Sequence, residues 1–507
     1  MPSLSIHWQE TAPGFYSREL DEAEIFYRRC KRKESGCFPV TSSASFTIGD
    51  STGQPHFTVE DAFRKAWVTL RYRHPTLASR VEHDDDSGRW TRVYSVVDGQ
   101  GKEINDWLCR TFTVIQDEGE SDALKWFNWD APDFEHASVY LVRPMNDQQR
   151  QRWAIFLRCP HDVTDGIGVL HLLDQLVEFA AQALEQGSDY RLPTTWGDEG
   201  ARLSPCLRVA AEIQARNAGL YSHAHLLGLP PSSRGRTVSL TSRRERLALS
   251  VPKATTAQIL HRCKALGAGI SVTHVFTAAL AIVLAQLHAE QHGQDDADSH
   301  VAARYVNHSM INLRRYCQPP YNGPDHAAAA YHTISAQAMA IDVAIPDHVG
   351  AAEAWVEALL PQVASQVRDF FTRIRPTAPS SNTIDDGNDN NCPDHLAFTP
   401  TTFKSITPPP GTDAHHIVSD PPFCPVPLSS LGNISHIVEK NHGVFELDDV
   451  WAASEPIGAG VAVFLGTWEG ALEPAAVFDT RYHGRVGVEG FLRRIVKCVC
   501  KGLGVEF

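Results

Sequence analysis

The segment 161–166, His-Asp-Val-Thr-Asp-Gly, holds the residue types that a proton-transfer site requires. Transfer of an acyl group to an alcohol needs a base near neutral pH, because the hydroxyl loses its proton as it attacks. Imidazole has a suitable pKa, so His161 is the candidate general base. Asp165 and Gly166 are the further candidates, the glycine because it permits close backbone packing or a positive φ. The alternatives are a buried, hydrogen-bonded histidine, a helix N-cap at Asp165 and a turn glycine.

Residues beside the histidine segment and residues distant from it in the sequence suggest competing chemistries. Cys159 would point the same way as His161 in an extended chain, but about 6.6 Å away, at roughly 3.3 Å per residue. That separation exceeds hydrogen-bond reach and disfavours a Cys–His nucleophile. His288 and His292 lie one helical turn apart, yet the sequence between them lacks the zincin pattern, so a solvated helix end is favoured over a metal site. No phosphate-binding Walker loop is present, and 458–460 is too short for a dinucleotide fingerprint.

Two apolar runs lead into the histidine segment. Residues 137–143 and 152–158 flank the polar turn 146–148, which predicts a β-hairpin. Residues 167–184 return to helical periodicity, so His161 is expected on the turn between a strand and a helix. Such turns are where many α/β proteins expose a reactive side chain.

Further elements are predicted from periodicity and capping signals. Residues 58–73 place apolar side chains on one helical face, with Thr58 as the N-cap and Asp61 three residues on. In the second half of the chain, helices are expected over residues 251–264, 271–288 and 488–503, and strands over 461–468 and 475–478.

The length of 507 residues exceeds one ordinary core and predicts two domains of similar size. The first domain is expected over residues 1–195 and the second over residues 241–507. The connection at 196–240 is punctuated by proline, serine and arginine. A mobile insertion is expected near residues 376–415, because residues 375–394 are poor in apolar side chains.

Composition and charge exclude some classes of protein. The hydrophobic and charged contents, 43% and 21%, are those of a globular protein. The net charge of −14 argues against a nucleic-acid surface. No apolar run reaches about eighteen residues and the N-terminus lacks a basic start, so neither a membrane span nor a secretory signal is predicted. The 11 cysteines form no paired framework, which favours free thiols and a cytoplasmic location.

Motifs spread over most of the chain carry a family resemblance. Besides residues 161–166 they are Arg73–Leu77, Ala268–Leu280, Ile311–Arg314, Ser429–Leu431, Asp449–Trp451 before Glu455 and Pro456, and Asp479–His483. With these motifs the chain resembles the His-x-x-x-Asp acyltransferase superfamily. That superfamily includes plant BAHD enzymes, alcohol acetyltransferases, fungal trichothecene acetyltransferases and peptide-synthetase condensation domains. The Ser-Ser-Leu-Gly stretch, expected to be a loop, and the degenerate match to the plant Asp-Phe-Gly-Trp-Gly motif look most like the fungal trichothecene 15-O-acetyltransferase branch.

The resemblance implies an α/β fold of two chloramphenicol-acetyltransferase-like domains with a tunnel at their interface. It implies that His161 is a general base without a covalent acyl-enzyme, and that Asp165 pairs with Arg314 to lock the loop. Ser429 and Ser430 are implied as donors to the oxyanion or the substrate. The implied substrates are acetyl-CoA, or another acyl-CoA, and a hydroxyl of a terpenoid or polyketide. A monomer without metal or cofactor is expected.

Two other functions stay open. One is condensation-type transfer of a carrier-protein-bound acyl group to an amine or alcohol. The lack of an attached carrier domain and of a second histidine beside His161 in the motif counts against it. The other is a catalytically silent small-molecule binding protein, against which the intact His161 and Asp165 count.

Overall fold

The computed structural model describes residues 5–31, 36–49, 58–97, 101–116, 123–144, 152–193, 196–213, 243–292, 302–344, 352–374, 395–415 and 424–506. Its helices are α1 (Glu22–Arg29), α2 (Val59–Arg73), α3 (Lys102–Thr111), α4 (Ala123–Trp129), α5 (Gly166–Gln186), α6 (Leu207–Ala210), α7 (Lys253–Leu266), α8 (Val272–His292), α9 (Ala352–Arg373), α10 (His395–Ile406) and α11 (Arg485–Leu503). Its strands are β1 (Gln9–Ala12), β2 (Phe15–Glu19), β3 (Pro39–Ile48), β4 (Arg80–Asp84), β5 (Arg89–Ser95), β6 (Phe112–Gln116), β7 (Ser138–Arg143), β8 (Trp153–Pro160), β9 (Arg244–Ala248), β10 (Ala302–Asn307), β11 (Met310–Asn312), β12 (His332–Ile334), β13 (Met339–Ala344), β14 (Leu428–Asn433), β15 (Asn441–His442), β16 (Phe445–Ser454), β17 (Val461–Trp468) and β18 (Ala471–Asp479).

The largest sheet has six strands in the order β15-β16-β3-β8-β7-β6. The predicted hairpin is confirmed, since β7 and β8 pair antiparallel with Ser138 opposite Arg158. Every residue of β8 is buried, as expected of a strand with both faces covered. Helices α2 and α5 pack together over this sheet and share its core. The sheet therefore holds the strand that ends at the histidine motif.

Helix α2 begins where the sequence predicts. The Thr58 hydroxyl accepts a hydrogen bond from the Asp61 backbone N–H, and the Asp61 carboxylate accepts one from the Thr58 backbone N–H. This reciprocal capping box satisfies two amides that the first helical turn leaves unpaired. The cap confirms the predicted start of the helix.

The second large core surrounds the sheet β14-β17-β18-β9. Helices α7, α8, α9 and α11 and strands β10 and β13 supply most of its other apolar side chains. Strand β14 is parallel to β17, whereas the other pairs in this sheet are antiparallel. A smaller four-stranded sheet, β1-β2-β5-β4, lies in the N-terminal part, and β10 with β13 and β11 with β12 form two-stranded ribbons.

A strand from the C-terminal half completes the N-terminal sheet. Strand β16 pairs antiparallel with β3 from Phe445 opposite Ile48 to Ser454 opposite Val40. Trp451 on β16 packs with Phe156 of β8 and Phe464 of β17 in an apolar cluster between the two large sheets. The two halves are thus joined by shared strand pairing and a shared core, so neither sequence half is a closed unit.

The predicted connection and insertion are only partly covered by the structure. The start of the connection, through α6, packs Leu207 and Ala210 against Tyr331, and residues 214–242 lie outside the described residues. Residues 375–394, the apolar-poor part of the predicted insertion, also lie outside them. The part of that segment just beyond forms α10, whose Phe403 is fully buried against α1.

Two helical segments, Gly166–Asp189 and Val272–Glu290, are long and apolar enough by composition alone to cross a membrane. The first is 61% and the second 67% buried inside the protein over the most apolar window. Since both contribute to the two large cores, packing accounts for their apolar character.

Candidate active site

His161 follows directly on the end of β8. Its backbone N–H donates to the Phe38 carbonyl at 2.7 Å, which continues the pairing of β8 with β3 by one residue. The chain then turns, and α5 begins at Gly166 with Asp165 as its N-cap. The Asp165 carboxylate accepts from the Ile167 and Gly168 amides at 3.0 and 2.7 Å. The strand end and the helix start therefore fix both ends of the histidine loop.

The second oxygen of Asp165 ties this loop to the C-terminal half. It accepts from Arg314 Nη2 at 3.2 Å and from the Tyr331 backbone N–H at 2.7 Å. The Arg314 guanidinium also donates to the carbonyls of His326 and Ala329, at 3.1 and 2.6 Å. The structure thus brings Asp165 and Arg314 together, and Asp165 is an N-cap and an ion-pair partner at once.

The charge of Asp165 is set by this surrounding. Burial alone would raise the pKa of the carboxyl group, but the charge of Arg314 and the amide hydrogen bonds hold that pKa below its ordinary value. Asp165 and Arg314 are both buried, at 4% exposure each. The carboxylate is therefore ionised at neutral pH, and Asp165 and Arg314 form a buried ion pair that joins the two halves.

The close packing around this ion pair requires a glycine at Gly168, which the sequence analysis did not identify. A Cβ at Gly168 would lie 2.3 Å from Thr164 Oγ1, 2.4 Å from the Ala327 carbonyl oxygen and 2.5 Å from Arg314 Nη2. Gly166, the glycine singled out in the motif, is not among the described residues with a positive φ. A Cβ there would approach Leu431 Cδ2 at 3.1 Å, so close packing is the feature that applies.

The His161 imidazole lies among aromatic rings. The Tyr27 ring is parallel to it, with centroids 4.0 Å apart and planes inclined by 1°. The rings of His332 and Phe38 lie at 5.4 and 6.0 Å. Burial, with a smaller contribution from His332, lowers the pKa of His161 to about 3. At neutral pH this imidazole is uncharged, which is the state a general base requires.

The lowered pKa predicts an unusual acid limb for any reaction in which His161 is the base. We expect kcat/KM to stay level as pH falls from 7 to about 5.5, because the free enzyme keeps His161 neutral below the unperturbed pKa of about 6.5. A half-maximal kcat/KM near pH 6.5 would contradict this.

The same pKa shift affects stability. The unfolded chain takes up the His161 proton below about pH 6.5 and the folded protein does not, so the contribution of His161 to stability falls as pH falls from about 6.5 toward the folded pKa of about 3. Circular dichroism at each pH is the control.

His161 lines a cavity of about 630 Å³ between the two halves. The residues that line it are mostly apolar, and they come from α1, β3, the start of α5, the β10–β11 region, β12, β14, the end of β16 and β17. Among the described lining residues none is a lysine or an arginine, and Glu455, which does line it, pairs with Arg244 at 3.4 Å. The interior therefore suits an apolar, uncharged molecule.

Ser429 and Ser430 line the same cavity, but not from a loop as expected. Both serines belong to strand β14, where Ser429 pairs with Phe464 and Ser430 with Leu465 of the parallel strand β17. The Ser430 hydroxyl shares a hydrogen bond of 2.8 Å with Thr273 Oγ1. The structure brings both serines to the cavity of His161, with Ser430 already engaged by a neighbouring helix.

The competing residues lie in other surroundings. Cys159 is fully buried in the core of the first sheet, and burial raises the pKa of its thiol above the ordinary value. A buried neutral thiol is a poor nucleophile. His288 belongs to α8, and within the residues that the structure describes no group of three or more His, Cys, Asp or Glu is arranged to hold a metal ion.

The two-lobed α/β fold defines a class of protein, and solved structures share this fold. TRI3 trichothecene 15-O-acetyltransferase from Fusarium sporotrichioides matches with a TM-score of 0.74 over 99% of this chain and 98% of that chain, at 14% identity. The first condensation domain of the calcium-dependent antibiotic synthetase matches with a TM-score of 0.57 over 96% of each chain, at 13% identity. The predicted fold of two chloramphenicol-acetyltransferase-like lobes is confirmed.

Curated relatives point to the same class. Acetyltransferase pigO of Monascus ruber is 26% identical over 339 residues, which cover 64% of this chain and 67% of the relative. O-acetyltransferase pigM of Monascus ruber is 27% identical over 342 residues, with 64% of this chain and 59% of the relative covered. No protein-family model matches the chain. The predicted resemblance is confirmed: the chain is similar to these acetyltransferases in sequence and shares the fold of TRI3 and of the condensation domain, and these similarities support an acyltransferase.

Proposed function

We propose that the protein is an acyl-CoA-dependent O-acyltransferase that transfers an acetyl group to a hydroxyl of a secondary metabolite such as a terpenoid or polyketide. The observation that supports this most is His161, a buried neutral imidazole on the wall of a cavity of about 630 Å³. Both curated relatives are named as acetyltransferases, which supports acetyl as the transferred group. The apolar lining without lysine or arginine among its described residues supports an uncharged acceptor.

In the proposed reaction His161 takes the proton of the acceptor hydroxyl while the oxygen attacks the thioester carbonyl of acetyl-CoA. A carbon–oxygen bond forms, and the negative charge moves to the former carbonyl oxygen. When this intermediate collapses, the carbon–sulfur bond breaks and the CoA thiolate takes the proton from the His161 imidazolium. No bond to the protein forms, and no metal or prosthetic group takes part. We further propose that the enzyme acts as a monomer in the cytoplasm.

The simplest test incubates the protein with acetyl-CoA and a panel of neutral terpenoid and polyketide alcohols, with free CoA as the readout. We expect CoA release that depends on the acceptor. Release only from carrier-protein-bound acyl groups would favour condensation-type transfer instead. Binding of the acceptor without acyl transfer from either acetyl-CoA or the carrier protein would identify a catalytically silent binding protein.

The serines of β14 give a separate prediction. If a hydroxyl there donates to the oxyanion, its removal lowers kcat and kcat/KM together, by about 2.7–4 kcal/mol in the strongest case. We expect this of Ser429→Ala, since Ser430 already bonds Thr273. If the strand only shapes the acceptor pocket, the acceptor KM rises instead. Ser454→Ala, on the cavity wall contributed by β16, is the matched control. Wild-type kinetics in Ser429→Ala, Ser430→Ala and the double variant would remove both serines from the mechanism.

A further inference from the structure

Tyr27 of α1 covers one face of the His161 imidazole. The two rings are parallel within 1° and their centroids are 4.0 Å apart. Tyr27 is 5% exposed and lies in the cluster that α1 forms with Phe38 and Phe403. The imidazole therefore meets a rigid aromatic surface on that face, and rotation about its side-chain bonds is restricted to positions that keep the stack.

His332 of β12 holds the tyrosine in this place. The Tyr27 hydroxyl and Nε2 of His332 share a hydrogen bond of 2.6 Å, although the two residues are 305 positions apart in the sequence. His332 is itself 8% exposed, and burial keeps its pKa below the ordinary value, so it acts here as a neutral partner. The bond fixes the rotation of the phenol ring relative to the wall of the cavity.

Buried charges also fix the helix that carries Tyr27 to the loop that carries His161. Asp162, the neighbour of His161, accepts from Arg28 of α1 at 3.0 Å and from Arg92 of β5 at 2.6 Å. Arg92 in turn donates to Glu24 of α1 at 3.1 Å. Because these groups are largely buried, water and salt screen the ion pairs little, and short contacts set the distance between α1 and the loop.

We propose that Tyr27 and His332 are positioning residues for His161: His332 anchors the phenol, and the phenol holds the imidazole plane toward the cavity. This inference rests on the proposed function of His161. The phenol face has a second effect, since the electron-rich ring lies against the imidazole that becomes positively charged during the reaction. Neither residue takes or gives a proton in the transfer.

The test uses Tyr27→Leu, which removes the stack, and Tyr27→Phe and His332→Leu, which leave side chains of similar volume but remove the hydrogen bond between the two residues. We expect Tyr27→Leu to lower kcat by about 10- to 100-fold, the scale of a misplaced catalytic group. Tyr27→Phe and His332→Leu each lose less, and their double variant loses no more than the worse single variant. Tyr94→Phe removes a buried hydroxyl bonded to Glu199 at 3.1 Å and serves as the control, with unchanged kcat.

Two results separate positioning from a purely structural or substrate-binding role. In the His161→Ala background, Tyr27→Leu and Tyr27→Phe should lower the residual rate no further, because they act through the absent imidazole. A loss as large as in the wild-type background overturns the proposal, as does a raised acceptor KM with unchanged kcat. If Tyr27→Leu fails to fold, the double-mutant cycle of Tyr27→Phe and His332→Leu decides, and additive losses of kcat in that cycle overturn the proposal.

A measurement without turnover distinguishes this inference from the proposed function. In NMR spectra of histidine-labelled protein, the Tyr27 ring current should shift the ring-proton signals of His161, and Tyr27→Phe should keep that shift while Tyr27→Leu removes it. A wild-type protein that shows the shift but releases no CoA with any alcohol would overturn the proposed function and leave the stack in place. Identical His161 signals in wild type and Tyr27→Leu would overturn the stack itself.

Discussion

Replacing His161 with alanine is expected to lower kcat for acyl transfer by about 10²–10⁴-fold or more. The variant has no group that takes the hydroxyl proton, so attack on the thioester must proceed from a neutral alcohol. The expected loss of stability is about 1–2 kcal/mol, since a small part of a packed aromatic cluster is removed. The measurement compares steady-state CoA release with thermal unfolding of the same preparation.

The matched control for this variant is His74→Ala. His74 is also buried, at 1% exposure, and its Nε2 shares a hydrogen bond of 2.9 Å with Gln175, but it does not line the cavity of His161. We expect lower stability and near-normal kcat from this control. Near-normal turnover by His161→Ala would remove the histidine from the mechanism.

The ion pair of Asp165 and Arg314 gives the second large effect. Asp165→Asn or Arg314→Ala strands the remaining charge inside the protein, and breaking a buried pair in this way costs about 3–5 kcal/mol. Activity should fall as well, by up to about 100-fold, because the loop that carries His161 loses its tie to the C-terminal half. Chemical denaturation and steady-state kinetics measure both losses.

The double variant of this pair should lose less than the sum of the single variants, because neither charge is then left alone. Strict additivity in stability and in kcat would mean that the two side chains do not act together. Arg304→Ala is the control: Arg304 pairs with Asp342 on the surface, where the side chains are 47% and 55% exposed. Its loss should change neither activity nor unfolding measurably, since water screens such pairs.

Sequence patterns predicted those elements of the fold that depend on residues close together in the sequence. The hairpin of β7 and β8, the capping box at Thr58 and the start of α5 beside Asp165 each follow from alternation, turn residues or a capping side chain. The pairing of β16 with β3 does not follow from such patterns. The alternation of apolar and polar residues indicates which face of β16 is buried but not which sheet the strand joins. The pairing of β16 with a strand of the other half therefore could not be predicted.

The same distinction holds at the candidate site. His161 and Asp165 are four positions apart, and the resemblance supplied Arg314 as the third member. Tyr27 and His332 come from segments with no spacing relation to the motif, and only the folded chain brings them to the imidazole. Gly168 gave a weak signal in the sequence, as a glycine two residues beyond the motif. The reason that a glycine is required there became visible only through its contacts with Thr164, Ala327 and Arg314.

The most direct test of the central claim follows acyl transfer and the protein's mass together. Wild type, Cys159→Ala and His161→Ala are each incubated with acetyl-CoA, with and without the acceptor alcohol. The account predicts that wild type and Cys159→Ala release CoA only when the acceptor is present, that His161→Ala releases almost none, and that no variant gains an acetyl group. A wild-type protein that is acetylated without the acceptor, together with an inactive but folded Cys159→Ala, would contradict direct transfer with His161 as the base.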